Sequence, residues 1–159
     1  MRILLDRLSQ LALFISASCL IAMTAIITYQ VVARYGFNSS PAWSERLSLV
    51  LLAYLVFFGA AAGVRQGFHI RITALRDAGP AGLAKALTAA THLLVAGAGV
   101  VILVAGMQLT TALWAFAVPS LGIPRGLALL PLPCAGAMIT LFSIANFIGL
   151  DALADGEAE

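Results

Sequence analysis

Long apolar runs separated by a few charged residues are the main feature of this chain. The four longest stretches without Asp, Glu, Lys or Arg cover residues 8–33, 47–64, 86–124 and 126–150. About 20 apolar residues in an α-helix cross a hydrocarbon layer roughly 30 Å thick. Strands of a membrane barrel are only about 10 residues long and alternate in polarity, which these runs do not. The pattern therefore predicts four membrane-spanning helices.

Helix-breaking residues set the bounds of the predicted helices. Pro119, Gly122 and Pro124 interrupt the longest run, so we expect its helix to end before them. Ser40 and Pro41 suit the N-cap and the first turn of a helix, so the second helix begins before its charge-free run. The prediction is a single membrane domain over residues 1–159, with helices at about 8–33, 41–66, 86–116 and 127–150 and an interfacial turn over 117–125.

Composition excludes a soluble globular fold. The 159 residues are 62% hydrophobic and 10% charged, with a mean hydropathy of +1.02, whereas about 25% of the residues in a typical soluble domain are charged. We therefore expect an all-α integral membrane protein. The net charge of +2 is too small to indicate nucleic-acid binding. The first run is longer than the apolar segment of a signal peptide, so we expect a retained helix.

The distribution of basic residues predicts the orientation, because Lys and Arg collect on the cytoplasmic side. With four spans, both termini and the middle loop share one side. That side holds Arg2, Arg7, Arg65, Arg71, Arg76 and Lys85, whereas the other side holds Arg34, Arg46 and Arg125. We expect both termini to be cytoplasmic. Aromatic residues on the other side then meet membrane lipids at the outer interface: Tyr35, Phe37, Trp43 and Trp114.

The predicted spans offer little chemistry of their own. Every Asp, Glu, Lys and Arg lies at a span end, whereas proteins that move ions alone carry ionisable groups inside the membrane. The sequence has no recognisable metal-ligand spacing, phosphate-binding loop or nucleophile–base set, so we expect no enzyme. His69 and His92 fall near the inner leaflet, which leaves a haem or quinone anchor of a redox complex open as an alternative. Cys19 and Cys134 fit small apolar fillers, and a disulfide between them stays open.

Two glycines mark a close-packing face on the second predicted helix. Gly59 and Gly63 lie four residues apart and therefore on one face. Glycine lets helix backbones approach closely in lipid. Two interpretations are open: the face packs within this chain, or it packs against another subunit.

The stretch over residues 34–70 carries a more specific motif. It reads RYGFNSSPAWSERLSLVLLAYLVFFGAAAGVRQGFHI and resembles the signature of the small membrane subunit of tripartite ATP-independent periplasmic (TRAP) transporters. The positions that carry the resemblance are Arg34, Tyr35, Phe37, Asn38, Trp43, Glu45, Gly59, Ala60, Arg65, Gly67, His69 and Ile70. A second patch, SLGIP followed by LPLP, resembles the entry to the family's last helix. Arg46 and Arg125 depart from the family pattern, which often has an acid and an aromatic residue there.

The resemblance implies a sodium-coupled transporter of organic acid anions in the bacterial inner membrane. In that family a periplasmic substrate-binding protein docks on a large multi-spanning permease subunit and a small subunit. The small subunit is a scaffold without a cofactor and forms part of the docking surface. The transported substrate and the copy number stay open, and a small homodimeric exporter is the second alternative.

Physical roles for particular residues can then be stated as hypotheses. We predict that Arg34 and Glu45 pair across the outer loop, directly or through Asn38. The predicted rim that faces the binding protein consists of Trp43, Arg46 and Arg125. The Gly59–Gly63 face is predicted to contact the large subunit.

Overall fold

A computed structural model describes residues 2–39, 41–66 and 81–155, with side chains over 3–39, 41–66 and 89–148. Within these residues the chain forms five helices: α1 (Arg2–Gly36), α2 (Ala42–Arg65), α3 (Ala81–Ala112), α4 (Arg125–Leu129) and α5 (Pro131–Asp155). α1, α2, α3 and the α4–α5 pair are each long and apolar enough to cross a membrane. The predicted all-α fold with four spans is confirmed, and the orientation stays a prediction.

The observed bounds differ from the predicted ones most clearly in the first and third helices. α1 extends past the predicted 8–33 at both ends, because charged residues mark the edge of the apolar layer and not the end of the helix. α3 begins at Ala81 rather than near 86 and ends at Ala112 rather than near 116. Residues 113–116 continue as turns with backbone hydrogen bonds. α2 lies within one residue of the predicted 41–66 at each end.

α1 and α2 pack antiparallel along their length. Three contacts give the register: Asp6–Arg65, Ser16–Leu55 and Tyr29–Trp43. As the residue number rises from 6 to 29 along α1, that of the partner falls from 65 to 43. An ion pair, a hydrogen bond and an aromatic stack therefore join the two helices at one end, near the middle and at the other end.

Glycines let α3 and α5 approach backbone to backbone. A Cβ on Gly136 would lie 2.5 Å from the amide nitrogen of Leu103 and 2.9 Å from the carbonyl oxygen of Gly99. A Cβ on Gly106 would lie 2.9 Å from the nitrogen of Pro133. The two helices therefore approach closely at these glycines, as small residues allow in lipid.

Over the described residues, the main contacts between the long helices follow the order α1, α2, α5, α3. α2 packs against α1 on one side and α5 on the other, and α5 packs against α3. The buried cluster lies mainly where α2 meets α5, with Phe142, Ala61 and Val64 among its members. On the edge helices, large side chains such as Phe14 and Leu94 are 74% exposed. An open row with apolar edges is stable only when lipid or another membrane protein covers those edges.

Connectivity defines two ends of the row, which we name by the predicted orientation. The outer end holds the turn between α1 and α2 and the segment over residues 113–130. The inner end holds the start of α1, the end of α2, the start of α3 and the end of α5.

Candidate functional site

The turn between α1 and α2 depends on one residue with a positive φ. Asn38 has φ 50°, and the amide of Ser39 donates to the carbonyl oxygen of Ala33 over 3.2 Å. Asn is among the few non-glycine residues that adopt this left-handed conformation at modest cost. Asn38 therefore directs the chain away from the end of α1, a role different from the predicted bridge between Arg34 and Glu45.

Trp43 lies at the start of α2 with one ring face against α1. Its indole stacks on Tyr29 at a centroid distance of 6.2 Å and an interplanar angle of 25°. The side chain is still 39% exposed, so the rest of the ring is available to lipid or a partner. Next to it, the hydroxyl of Ser44 is buried and donates to the carbonyl oxygen of Pro41 over 2.7 Å.

Arg34 and Glu45 do not pair in the described structure. Both side chains are exposed. Among the described residues the recorded ion pair joins Arg65 and Asp6. The predicted bridge across the outer loop is therefore not formed here, directly or through the side chain of Asn38.

The segment that connects α3 to α4 at the outer end forms a turn closed by backbone hydrogen bonds. The amide of Val118 donates to the carbonyl oxygen of Ile123, and the amide of Arg125 donates to that of Phe116, each over 2.7 Å. These bonds enclose an antiparallel bridge, and two residues of the turn, Ser120 at φ 71° and Gly122 at φ 67°, have left-handed backbone conformations. Sequence reasoning predicted a turn here but not its paired backbone. The pairing holds the backbone of Arg125 while its side chain stays exposed.

Tyr54 ties this outer segment to α2. Its hydroxyl donates to the carbonyl oxygen of Leu127 over 2.8 Å. In a continuous helix that carbonyl would accept the amide four residues later, but residue 131 is a proline without an N–H. The tyrosine hydroxyl therefore supplies the donor that Pro131 lacks. Sequence reasoning missed this contact, although the LPLP segment signals orphaned carbonyls.

The indole of Trp114 packs directly against the backbone of Gly126. A Cβ at this glycine would collide with the indole of Trp114 and lie 3.0 Å from the carbonyl oxygen of Thr110. Gly126 is buried, whereas Trp114 is 51% exposed. The indole thus covers the start of α4 and presents its other surface outward.

The predicted docking rim lies at the outer end as expected from the topology. Trp43 and Arg46 belong to the first turns of α2, and Arg125 begins α4, which packs against α2. All three side chains are exposed. Whether they contact a binding protein stays a prediction.

A polar cluster at the inner end, here called the inner clasp, was missed from the sequence. It consists of Asp6 of α1, Arg65 of α2 and Asn146 of α5. Nε and Nη2 of Arg65 donate to Oδ1 of Asp6 over 3.1 and 2.8 Å, and Nη1 donates to Oδ1 of Asn146 over 3.0 Å. Nδ2 of Asn146 donates to the carbonyl oxygen of Val64 over 3.1 Å. The sequence did contain one indication of this cluster, because Asp6 is the only acidic residue before Glu45.

Gly59 faces the chain's own first helix. A Cβ there would lie 3.1 Å from Oγ of Ser16, which donates to the carbonyl oxygen of Leu55 over 2.9 Å. Of the two interpretations left open by the sequence, packing within the chain is the one seen at Gly59. Gly63 is half-buried, and its contact with a second subunit stays a prediction.

The residues considered for cofactor chemistry are only partly described. His69 lies outside the described residues. The backbone carbonyl of half-buried His92 accepts the hydroxyl of Ser143 over 2.6 Å. Cys19 and Cys134 are free thiols. Over the described part of the chain, no group of three or more His, Cys, Asp or Glu side chains is placed to hold a metal ion.

Comparison with known proteins decides the family. Residues 23–152 match the family model of the tripartite ATP-independent periplasmic transporters, DctQ component. The chain belongs to this family. Together with its four apolar helices, DctQ membership makes the chain a multi-pass protein of the bacterial inner membrane. The resemblance to the TRAP small membrane subunit and the expected localisation are confirmed.

Curated members of the DctQ family are similar to part of this chain. The C4-dicarboxylate TRAP transporter small permease protein DctQ of Vibrio cholerae is 35% identical over 72 residues, 45% of this chain and 31% of that protein. The sialic acid TRAP transporter small permease protein SiaQ of the same species is 30% identical over 63 residues, 40% of this chain and 36% of that protein. The aligned stretches span about a third of the length of each relative.

Proposed function

We propose that this chain is the small, static subunit of a sodium-coupled TRAP transporter for organic acid anions. It braces a large multi-spanning permease subunit, and its outer end forms part of the surface on which a periplasmic substrate-binding protein docks. The observation that carries the proposal is the open row of apolar helices, whose charged side chains lie only at the span ends.

The polarity of the spans supports a scaffold rather than a carrier. Binding an anion or a sodium ion inside a membrane requires charged or polar ligands at that depth. The runs over 8–33, 47–64, 86–124 and 126–150 contain no Asp, Glu, Lys or Arg. The buried hydroxyls that are paired in the described structure bond to backbone carbonyls: Ser16, Ser44 and Ser143. Ser16 and Ser143 thereby join neighbouring helices and Ser44 bonds within the first turn of α2, which leaves substrate chemistry to another subunit.

The substrate class rests on the relatives' names. One relative is named for C4-dicarboxylates and another for sialic acid, and both compounds are organic acids. We therefore assign organic acid anions as the class and no individual substrate.

The exposed groups of the outer end support a docking role. The indole of Trp43 is 39% exposed, and the cationic side chains of Arg46 and Arg125 are exposed at the same end of the row. Aromatic and arginine side chains contribute most strongly to protein interfaces. Replacing Trp43, Arg46 and Arg125 together with alanine is expected to weaken binding of the periplasmic protein at least tenfold. Unchanged affinity would remove the rim from the proposal.

Reconstitution tests the proposal as a whole. The chain is purified in mild detergent, and the large multi-spanning protein that co-purifies with it is identified and retained. Uptake of radiolabelled organic acids is then measured in liposomes with the cognate binding protein. We expect uptake that requires all three proteins and an inward sodium gradient. Solute uptake by this chain alone, or uptake that is unaffected by omitting it, would contradict the scaffold role.

A further inference from the structure

The inner clasp is the place where three helices of the row are joined by side chains. α1 packs against α2, and α2 packs against α5. Arg65 bonds to Asp6 across the first of these contacts and to Asn146 across the second. One guanidinium group therefore ties the inner end of the edge helix to that of the central pair.

Arg65 depends on both partners. Its side chain is 18% exposed and that of Asp6 is 57% exposed, so the ion pair lies at the edge of the packed helices, where the forked charge-assisted bonds favour one position of the guanidinium group. Asp6 neutralises the charge, and Asn146 accepts the bond from Nη1. Arg65 also ends α2, where the helix dipole favours a cation.

Asn146 completes the arrangement from the other side. Its Nδ2 donates to the carbonyl oxygen of Val64, in the last turn of α2, where carbonyls lack helical partners. The amide thus accepts from the Arg65 side chain and donates to the backbone beside it. This two-way link makes the relative rotation of α2 and α5 specific.

We propose that Arg65 is a positioning residue that sets the inner-end spacing of α1, α2 and α5. Without it, the inner end of α1 keeps only the non-directional packing of Leu5 in the buried cluster, while the Ser16–Leu55 hydrogen bond and the Tyr29–Trp43 stack hold the middle and the outer end. The inner end of α1 then moves about these remaining contacts while its outer end stays in place. The subunit keeps its fold but no longer presents one fixed inner surface.

Distances between spin labels on the full chain in lipid nanodiscs test this inference. Cys19 and Cys134 are first replaced by alanine. Inner-end labels are placed with Leu4→Cys and Ile148→Cys, at side chains that are 65% and 60% exposed. Outer-end labels are placed with Tyr35→Cys and Phe116→Cys, which are 84% and 56% exposed.

Arg65→Ala is expected to broaden the inner-end distance distribution at least twofold and to leave the outer-end distribution unchanged. Arg65→Lys should broaden it as well, since one ammonium group cannot reproduce the forked bonds to two partners. The matched control is Arg7→Ala, an exposed residue beside Asp6, which should change neither distance. Asn146→Ala, which removes the acceptor of Nη1 and the donor to the carbonyl oxygen of Val64, should also broaden the inner-end distribution.

Two results would overturn the inference. An inner-end distribution in Arg65→Ala as narrow as that of the parent would show that the clasp positions nothing. Equal broadening at both ends in Arg65→Ala would assign Arg65 a general role in folding. Because only this chain is measured, the result is independent of whether it assembles with a large permease subunit.

Discussion

A single hydroxyl group, that of Tyr54, compensates for a proline in another helix. Removing it with Tyr54→Phe leaves the carbonyl oxygen of Leu127 with only the long 3.4 Å contact from the amide of Leu130. An unsatisfied carbonyl costs about 1–3 kcal/mol where water cannot replace the donor. We expect a lower thermal unfolding midpoint in detergent. Tyr29→Phe is the control, since Tyr29 contributes a ring stack, and a similar midpoint for the two variants would contradict this role.

Substitutions at Asn38 test whether the turn between α1 and α2 requires a left-handed backbone conformation at this residue. Its φ of 50° predicts that Asn38→Gly is tolerated and that Asn38→Val destabilises the turn by about 1–2 kcal/mol. Limited proteolysis between α1 and α2 should therefore be faster for the valine variant. The neighbouring change Ser39→Val serves as the control, because Ser39 is not among the positive-φ residues. Equal cleavage of the two valine variants would show that the conformation of Asn38 is unimportant.

Glycine decides how closely the helices pack, and the chain contains a matched pair for testing this. A Cβ on Gly136 meets the backbone of α3 at 2.5 Å, whereas a Cβ on Gly97 meets nothing within 4 Å. Gly136→Ala should cost about 1–3 kcal/mol by forcing α3 and α5 apart. Gly97→Ala should be neutral or slightly stabilising, since alanine favours helix more than glycine. Thermal unfolding of the two variants measures the difference, and equal midpoints would contradict close α3–α5 packing.

The helices could be predicted from the sequence because their signal is local. A run without charged residues must be about 20 residues long to cross the bilayer, so the lengths of the runs predict the four spans and the turn after the third. The helix ends could not be located in the same way, since Arg2 and Ala81 lie beyond the apolar layer but still continue the helix. Which distant side chains form bonds with each other could be seen only in the structure. Asp6 and Arg65 are 59 residues apart, and only the antiparallel register of α1 and α2 brings them together.

The sequence predicted at which end of the row the candidate docking residues lie, but not which polar side chains bond to each other. The exposed side chains of Trp43, Arg46 and Arg125 lie at the end where the topology places them. Among the described residues the expected pair of Arg34 with Glu45 is not formed; both side chains are exposed, where water competes for such charges at low cost. Motif positions therefore indicate where a surface lies, whereas burial decides which polar groups bond.

The row of four helices has two edges, and the scaffold proposal requires a partner to cover one of them. Spin labels at Phe14→Cys on α1 and Leu94→Cys on α3 report on edges that are each 74% exposed in the chain by itself. Both labels should be accessible to oxygen, which concentrates in lipid, when the chain is reconstituted alone. After assembly with the large permease subunit, one label should lose several-fold in accessibility and the other should not. Ala61→Cys, at a fully buried position, gives the inaccessible baseline. Unchanged accessibility at both edges in a purified complex would mean that the partner does not bind along an edge of the row.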